Sequence, residues 1–299
     1  LERSSNTEEQ FEANLGKCER ENTKFVDLTF YPTKTFVDED QAIFEQPDWR
    51  RIEDQYKSDL FENVSPHGIR QGKLGDCYFI SSLIYVSKNI NNVKSLFHPK
   101  SSLKHGIVLI YFYLLGERIP VIVDTQIAYA TNKSSEPLFS KPRTNNDSCW
   151  FVLVEKAFAK ACGGYKFIES GETHFGCHVL LNYFPQALEK VQNVVIDQDD
   201  DINISENELK ERIFHKFQSL LKEGALVGSS VSMKNFPDKT EDNFESEYGI
   251  VVSHAYQILD TREVGNRKFI MVRNPWGRFE YKGEYSKESP KWTVVEEMG

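Results

Sequence analysis

The stretch Gly75-Asp76-Cys77-Tyr-Phe-Ile-Ser-Ser-Leu-Ile-Tyr-Val-Ser-Lys88 decides the fold of the first half of the chain. Its residues after Asp76 are apolar on nearly every side, which predicts a helix that is buried all round, and Gly75 allows a tight turn into it. The unpaired N–H groups and dipole at a helix N-terminus favour a thiolate. Cys77 is therefore a candidate nucleophile, and a buried core cysteine is the alternative that this segment leaves open.

The residues around this helix predict its surroundings. Six positions before the cysteine lies Gln71, followed by glycine, and its side-chain amide is a candidate donor to an oxyanion. Residues 106–114 and 119–124 are rich in β-branched and aromatic side chains, which predicts two strands. Residues 148–161 form a second largely apolar helix, which ends at Gly163-Gly164. We expect a mainly helical half around the nucleophile.

The second half predicts one helix and then a sheet. Ser205 and Glu208 form a capping box, after which apolar residues recur at helical spacing as far as Gly224. Strand-like runs follow at 225–233, 249–259 and 268–274. The expected fold class is α+β with two lobes, one mainly helical and one a β-sheet, and with the chemistry between them. The expected domains are a leader at 1–29, a first lobe at 30–173 and a second lobe at 174–299.

The last two strand-like runs predict a hairpin that brings a histidine to an asparagine. Between them lies TREVGN (261–266), in which Gly265-Asn266 can form the turn. His254 and Asn274 lie equally far from residue 264, so we expect them to be directly opposed and on the same face. An asparagine oxygen that accepts from an imidazole fixes the tautomer and leaves the other ring nitrogen for a thiol. Trp276, two residues further on, is expected to cover this hydrogen bond.

Composition excludes several classes of protein. The chain has 299 residues and a formal net charge of −9, which argues against nucleic acid as a partner. We find neither a membrane span nor a signal sequence. The five cysteines are odd in number and widely spaced, which favours free thiols in a reducing, cytoplasmic compartment over a disulfide framework. A start at Leu1 and not at Met is expected of a fragment or a processed product.

Three motifs resemble those of the calpain family of cysteine proteases. They are Gln71-Gly-Lys-Leu-Gly-Asp-Cys77-Tyr-Phe, Ser253-His254-Ala-Tyr256 and Arg273-Asn274-Pro-Trp276-Gly277. Residues 150–160 (WFVLVEKAFAK) are similar to a calpain core helix, and FVDED at 36–40 is similar to the segment before the cysteine motif. The motifs follow one another in the family's order between about residues 30 and 285. Tyr78 replaces the usual tryptophan, and Ser253 replaces the usual glycine.

The resemblance implies a papain-like protease core that cleaves intracellular proteins at few sites. By matching position, Cys77 is the nucleophile, His254 the general base and acid, Asn274 the residue that orients the imidazole, and Gln71 an oxyanion donor. Calpain cores hold one Ca²⁺ in each lobe, yet Gly68 and Ser148 occupy the positions of the first site's acids. At the second site Glu280 matches, but Lys287 stands where an acid is expected. We therefore expect calcium at most through Glu280, and we do not expect the further modules of many relatives within these 299 residues.

Two other patterns could hold a metal. Asp197 to Glu208 has oxygen-bearing residues at EF-hand spacing, but Ile202 stands where that loop needs glycine, so a solvated acidic turn is preferred. His174-Phe-Gly-Cys177-His178 offers zinc ligands without an evident fourth, so a loop at the lobe boundary is preferred.

Two functions compete with a protease. One is a non-catalytic, calpain-like scaffold or regulatory module, which the missing calcium acids favour. The other is an acyltransferase of transglutaminase type, which Asn274 disfavours because those enzymes use a Cys-His-Asp arrangement.

Overall fold

The computed structural model describes residues 2–30, 47–57, 59–129, 136–182, 205–231, 233, 238–278, 281–287 and 289–296. By its internal contacts the chain divides into two units, Leu1–Tyr183 with Pro275–Gly277, and Phe184–Asn274 with Arg278–Gly299. The FVDED segment (36–40), the acidic turn from 197 to 204 and Glu280 lie outside the described residues. None of the helices in the described ranges has the length and apolar character that a membrane crossing requires.

The first unit contains both helices and short antiparallel sheets. In chain order its elements are α1 (Glu2–Glu21), β1 (Asp48–Arg51), α2 (Ile52–Gln55), β2 (Ile69–Arg70), α3 (Cys77–Val86), α4 (Ile90–Ser95), β3 (Ile107–Leu114), β4 (Glu117–Asp124), β5 (Gln126–Tyr129), β6 (Lys141–Pro142), α5 (Trp150–Cys162) and α6 (Thr173–Leu181). Single turns of 3₁₀ helix lie at Pro66–Gly68 and Tyr165–Ile168. The strand pairs are β1 with β5, β2 with β6, and β3 with β4.

The predicted nucleophile helix is buried as its sequence indicates. All residues of α3 from Tyr78 to Val86 are buried, and the ring of Phe79 stacks on Phe158 of α5 with centroids 4.2 Å apart. Phe112 of β3 meets the same Phe158 ring at 5.6 Å. The predicted end of α5 is also confirmed, since Gly163 follows it with a left-handed φ of 96°. Burial on every side explains why α3 lacks a polar face.

The N-terminal segment forms a helix whose apolar side chains belong to the core. Phe11 of α1 is fully buried and Leu15 nearly so, in a cluster with Ile107, Leu109, Tyr111 and Ile122. The Tyr111 hydroxyl donates to the carboxylate of Glu8 at 2.8 Å. Helix α1 is therefore packed firmly on the sheet formed by β3 and β4.

The segment from His174 to His178 is helical, so the expected boundary loop is wrong. It lies inside α6, where Cys177 is buried and its thiol donates to the hydroxyl of Ser82 at 3.1 Å. A Cβ on Gly176 would lie 2.5 Å from that hydroxyl. Because Gly176 has no side chain, α6 can approach α3 closely. This close packing stabilises the helical conformation of the segment over a loop.

The second unit combines helices with a three-stranded antiparallel sheet. Its described elements are α7 (Glu206–Lys222), β7 (Val227–Ser229), α8 (Glu241–Tyr248), β8 (Tyr256–Val264), β9 (Arg267–Arg273) and α9 (Lys291–Glu296), and the strand order is β7-β8-β9. The predicted N-cap is confirmed, since the hydroxyl of Ser205 accepts from the N–H of Glu208 at 3.3 Å. The predicted turn at Gly265-Asn266 joins β8 to β9.

Candidate active site

Cys77 is the first residue of α3 and lies where the helix presents its unpaired N–H groups. Its neighbour Asp76 begins the helix, and its carbonyl accepts from the N–H groups of Phe79 and Ile80 at 2.9 and 3.1 Å. The side chain of Cys77 is only partly buried. The helix dipole thus acts on a thiol that an incoming group can reach.

The other described cysteines differ from Cys77 in their surroundings. Cys149 precedes α5, but burial raises its pKa to about 12. Burial likewise raises the pKa of Cys177 to about 12 and shifts the pKa of Cys162 upward. Cys18 is buried in the core. Only Cys77 combines partial exposure with a position at the start of a helix.

The loop before Cys77 holds Gln71 in a fixed place. The backbone N–H of Gln71 donates to the carbonyl of Pro275 at 2.8 Å. Its side-chain nitrogen Nε2 donates to the carbonyl of Leu74 at 2.6 Å, while Oε1 is buried and finds no donor among the described residues. One of the two amide hydrogens is used in this way, so the second is left for an acceptor such as an oxyanion.

His254 and Asn274 form the expected hydrogen bond. Nε2 of His254 and Oδ1 of Asn274 lie 2.9 Å apart, and Nδ2 of Asn274 donates to the carbonyl of Arg278 at 3.0 Å. Because Nδ2 is used as a donor, Oδ1 is the acceptor and Nε2 of the imidazole carries the hydrogen. In a neutral ring Nδ1 is then the basic nitrogen.

Burial shapes the ionisation of this histidine. His254 is 4% exposed, and desolvation lowers its pKa, against smaller opposing effects of the Asn274 hydrogen bond and the charge of Glu245. The ring also meets Tyr256 edge-on, with centroids 5.1 Å apart. A lowered pKa keeps the imidazole neutral, which is the form that accepts a proton from a thiol.

The direct pairing of His254 with Asn274 in the hairpin is wrong. Gln257 pairs with Arg273, and a bulge between Ile258 and Asp260 shifts the register by one residue beyond it. Strand β8 begins only at Tyr256, so His254 lies two residues before it. The two side chains therefore meet diagonally across the end of the hairpin, a distance that long side chains can bridge.

The residues before His254 adopt an irregular path because side chains take their hydrogen bonds. The N–H of Val251 donates to the hydroxyl of Tyr256 at 2.8 Å, and that of Val252 to the carboxylate of Glu245 at 3.2 Å. Ser253 has a left-handed φ of 51°, and its N–H donates to the carbonyl of Val231 at 3.0 Å. Ser253 thus occupies a conformation that favours glycine.

The positions that the resemblance assigns to a first calcium site offer few oxygen ligands among the described residues. A Cβ on Gly68 would lie 3.2 Å from the carboxylate of Asp147, and the hydroxyl of Ser148 donates to the carbonyl of Leu60 at 2.7 Å. Asp147 accepts from the N–H and the hydroxyl of Thr144. Within the described ranges no three side chains of His, Cys, Asp or Glu are grouped so as to hold a metal ion.

The chain is similar to known proteins over most of its length. Residues 25–298 match the sequence profile of the family described as "Calpain family cysteine protease". The "Calpain-type cysteine protease DEK1" of Zea mays is 29% identical over 302 residues, which cover 94% of this chain and 13% of that protein. "Calpain-5" of Caenorhabditis elegans is 27% identical over 305 residues, which cover 93% of this chain and 45% of that protein. The chain thus spans between about a tenth and a half of the length of these relatives.

Proposed function

Because this chain belongs to the calpain family of cysteine proteases, we propose that it is a calpain-like endopeptidase that works through Cys77, His254 and Asn274. The hydrogen bond of 2.9 Å between His254 and Asn274 carries the proposal, because it leaves Nδ1 as the basic nitrogen of the ring. The position of Cys77 at the start of α3 supports it further. The domain limits expected from the sequence, with a papain-like two-lobed core, are part of the same proposal.

The proposed reaction is acyl transfer to a thiol and then to water. Sγ of Cys77 attacks the scissile carbonyl while its hydrogen passes to Nδ1 of His254. The carbonyl oxygen becomes an oxyanion, to which the second amide hydrogen of Gln71 donates. The carbon–nitrogen bond then breaks, and the leaving amine takes the hydrogen from His254. Water then attacks the thioester while one of its hydrogens passes to the same imidazole, and the carbon–sulfur bond breaks. The thiolate takes that hydrogen back from His254, and the carboxylic acid that is released ionises in solvent.

The substrates in this proposal are proteins, and the compartment is the reducing cytoplasm. All five cysteines are free thiols, which is the state that a reducing compartment maintains. Calcium is not required in the proposed reaction. Ser148 and Gly68 supply no carboxylate at the positions where the family binds its first ion, and hard cations need several oxygen ligands.

The test is hydrolysis of an unfolded protein such as casein by the wild type and by Cys77→Ala, each with calcium and with a chelator. We expect cleavage that requires Cys77 and survives chelation, while the variant keeps the circular dichroism spectrum of the wild type. Cleavage only with calcium would refute the calcium part of the proposal alone.

Two further results would favour the competing functions. Absence of cleavage under every condition would favour the non-catalytic scaffold. Incorporation of a labelled amine into casein, in place of hydrolysis, would favour an acyltransferase of transglutaminase type.

A further inference from the structure

The side chain of Asp76, immediately before the nucleophile, does not cap the helix that it begins. Aspartate at this position normally accepts from an N–H group of the first turn, yet the Asp76 side chain makes no such bond. Asp76 is 0% exposed, and neither of its carboxyl oxygens meets an N–H or O–H donor among the described residues. A buried carboxylate without donors is costly, so this group needs another explanation.

The explanation lies in a second buried carboxyl group. Glu155 in the middle of α5 is also 0% exposed, and it lies within hydrogen-bonding reach of the Asp76 side chain. Oε2 of Glu155 accepts from the N–H and the hydroxyl of Ser140 at 3.0 and 2.5 Å. Two carboxylates cannot bond to each other unless one of them carries a hydrogen.

The hydrogen-bond donors around the two carboxyl groups decide which of the groups carries the hydrogen. Glu155 already accepts two hydrogen bonds from Ser140, and these stabilise its ionised form, whereas Asp76 has no donor that would stabilise a negative charge. Burial first, and then the charge and hydrogen bond of Glu155, raise the pKa of Asp76 well above its ordinary value. For Glu155 burial raises the pKa, while the bonds from Ser140 and Asp76 oppose that rise.

The other titratable groups around the pair supply no positive charge. Cys77 and Tyr78 face Asp76 from α3, and Tyr165 faces both carboxyl groups from its 3₁₀ turn. Lys156, next to Glu155, is bound instead to Asp124 at 2.5 Å. Neither Asp76 nor Glu155 forms an ion pair with Lys, Arg or His in the described part of the chain.

We propose that Asp76 is a neutral carboxylic acid in the folded protein, donates its hydrogen to Glu155, and is thereby a positioning residue for Cys77. The bond ties the first turn of α3 to α5. It also leaves position 76 uncharged. A carboxylate there would oppose the formation of a thiolate at the neighbouring Cys77. The positioning of Cys77 by Asp76 rests on the proposed function, whereas the neutral form of Asp76 does not depend on it.

The first test compares the thermal midpoints of the wild type and Asp76→Asn from pH 4 to pH 8. Unfolding of the wild type exposes an aspartate that ionises near pH 4, so a neutral Asp76 loses its proton on unfolding and the wild type becomes less stable as the pH rises. The amide needs no proton to donate to Glu155. We therefore expect the midpoint of the variant to rise relative to the wild type across this range.

Asp124→Asn is the matched control, because Asp124 is equally buried but ion-paired with Lys156. It should be less stable than the wild type because Lys156 loses its buried partner, and it leaves Asp76 and Glu155 in place. A difference between Asp76→Asn and the wild type that stays constant with pH would overturn the proposal. A variant that fails to fold would also overturn it, because the amide has the shape and donor of the neutral acid.

Two further measurements test the protonation state of Asp76 separately from its role in positioning Cys77. Infrared difference spectra of wild type against Asp76→Asn at pH 7, with ¹³C-labelled aspartate, should contain the carbonyl band of a neutral acid, and its absence would overturn the proposal. Alkylation of Cys77 by iodoacetamide should stay within about threefold of wild type in Asp76→Asn and fall about tenfold or more in Asp76→Ala. Equal losses in both variants would overturn the positioning role even if the chain proved to have no protease activity.

Discussion

The side-chain oxygen of Asn274 accepts a hydrogen bond of 2.9 Å from Nε2 of His254, although the two residues are not partners in the hairpin ladder. The amide is held by its second bond, from Nδ2 to the carbonyl of Arg278. Its acceptor therefore faces the imidazole in a fixed direction. The tautomer of His254 follows from the orientation of one asparagine, which is the basis of the first two predictions.

Asn274→Ala should slow peptide hydrolysis without abolishing it. The change removes the acceptor that orients the ring and leaves both the base and the thiol in place. Loss of one such hydrogen bond, worth about 1–1.5 kcal/mol, corresponds to roughly a tenfold decrease in kcat/KM. Asn243→Ala, at an exposed position of α8, is the control and should leave kcat/KM unchanged. An unchanged rate in Asn274→Ala would mean that the bond has no part in catalysis.

The titration of His254 should reflect its burial. Desolvation lowers its pKa and the Asn274 bond opposes that shift, so we expect a midpoint below about 6.5. The measurement is histidine NMR on the Cys77→Ala protein, in which no thiol is coupled to the imidazole. Adding Asn274→Ala should lower the midpoint further. A midpoint above 6.5 would contradict the dominant effect of burial, and a rise on removal of Asn274 would contradict the assigned hydrogen bond.

Cys77 should be the thiol that reacts first with iodoacetamide at neutral pH. Burial raises the pKa of Cys149 and Cys177 to about 12, which leaves roughly one part in 10⁵ of each as thiolate at pH 7. Mass spectrometry of briefly labelled protein should locate the label at Cys77. Cys162→Ala, which removes the other partly buried thiol, is the control and should still be labelled at the same rate. Fast labelling that persists in Cys77→Ala would contradict the assignment.

The parts of the fold that the sequence predicts well are those set by local pattern. The buried helix α3, the end of α5 at Gly163 and the turn at Gly265-Asn266 all follow from apolar periodicity and glycine placement. The register of the hairpin cannot be predicted in this way, because the bulge after Ile258 depends on how the strand packs. The start of β8 cannot be predicted from the sequence either. The N–H groups of Val251 and Val252 donate to the side chains of Tyr256 and Glu245, so these residues do not join the strand.

The residues of the candidate site also differ in how well the sequence predicts them. Cys77, Gln71, His254 and Asn274 stand out because their chemistry lies in short motifs and at element ends. The pairing of Asp76 with Glu155 joins residues 79 positions apart, and no local pattern signals that their side chains meet. A buried acid at the start of an apolar helix is the one hint that the sequence contains. Its partner becomes evident only when α3 and α5 are packed together.

Helix α1 should contribute to stability although it precedes the family match, which begins at residue 25. Phe11→Ala removes a fully buried ring from the cluster with Leu15 and Ile107. A cost of about 3–5 kcal/mol in the free energy of unfolding is expected from such a truncation. Urea denaturation measures it, and Gln10→Ala, at the exposed neighbouring position, should change little. Equal stabilities of the two variants would mean that α1 adds little to the stability of the core.

Gly72→Ala should disturb the loop that holds Gln71, whereas Gly75→Ala in the same loop should not. A Cβ at position 72 would lie 2.1 Å from the carbonyl oxygen of Phe139, which is backbone and cannot rotate away, while a Cβ at position 75 meets nothing within 4 Å. Overpacking of this kind costs about 1–3 kcal/mol. Displacement of the loop also moves the amide proposed to donate to the oxyanion, so kcat/KM should fall with stability in Gly72→Ala alone. Urea denaturation and casein hydrolysis measure the two effects, and equal behaviour of the two variants would refute the close approach of Gly72 to Phe139.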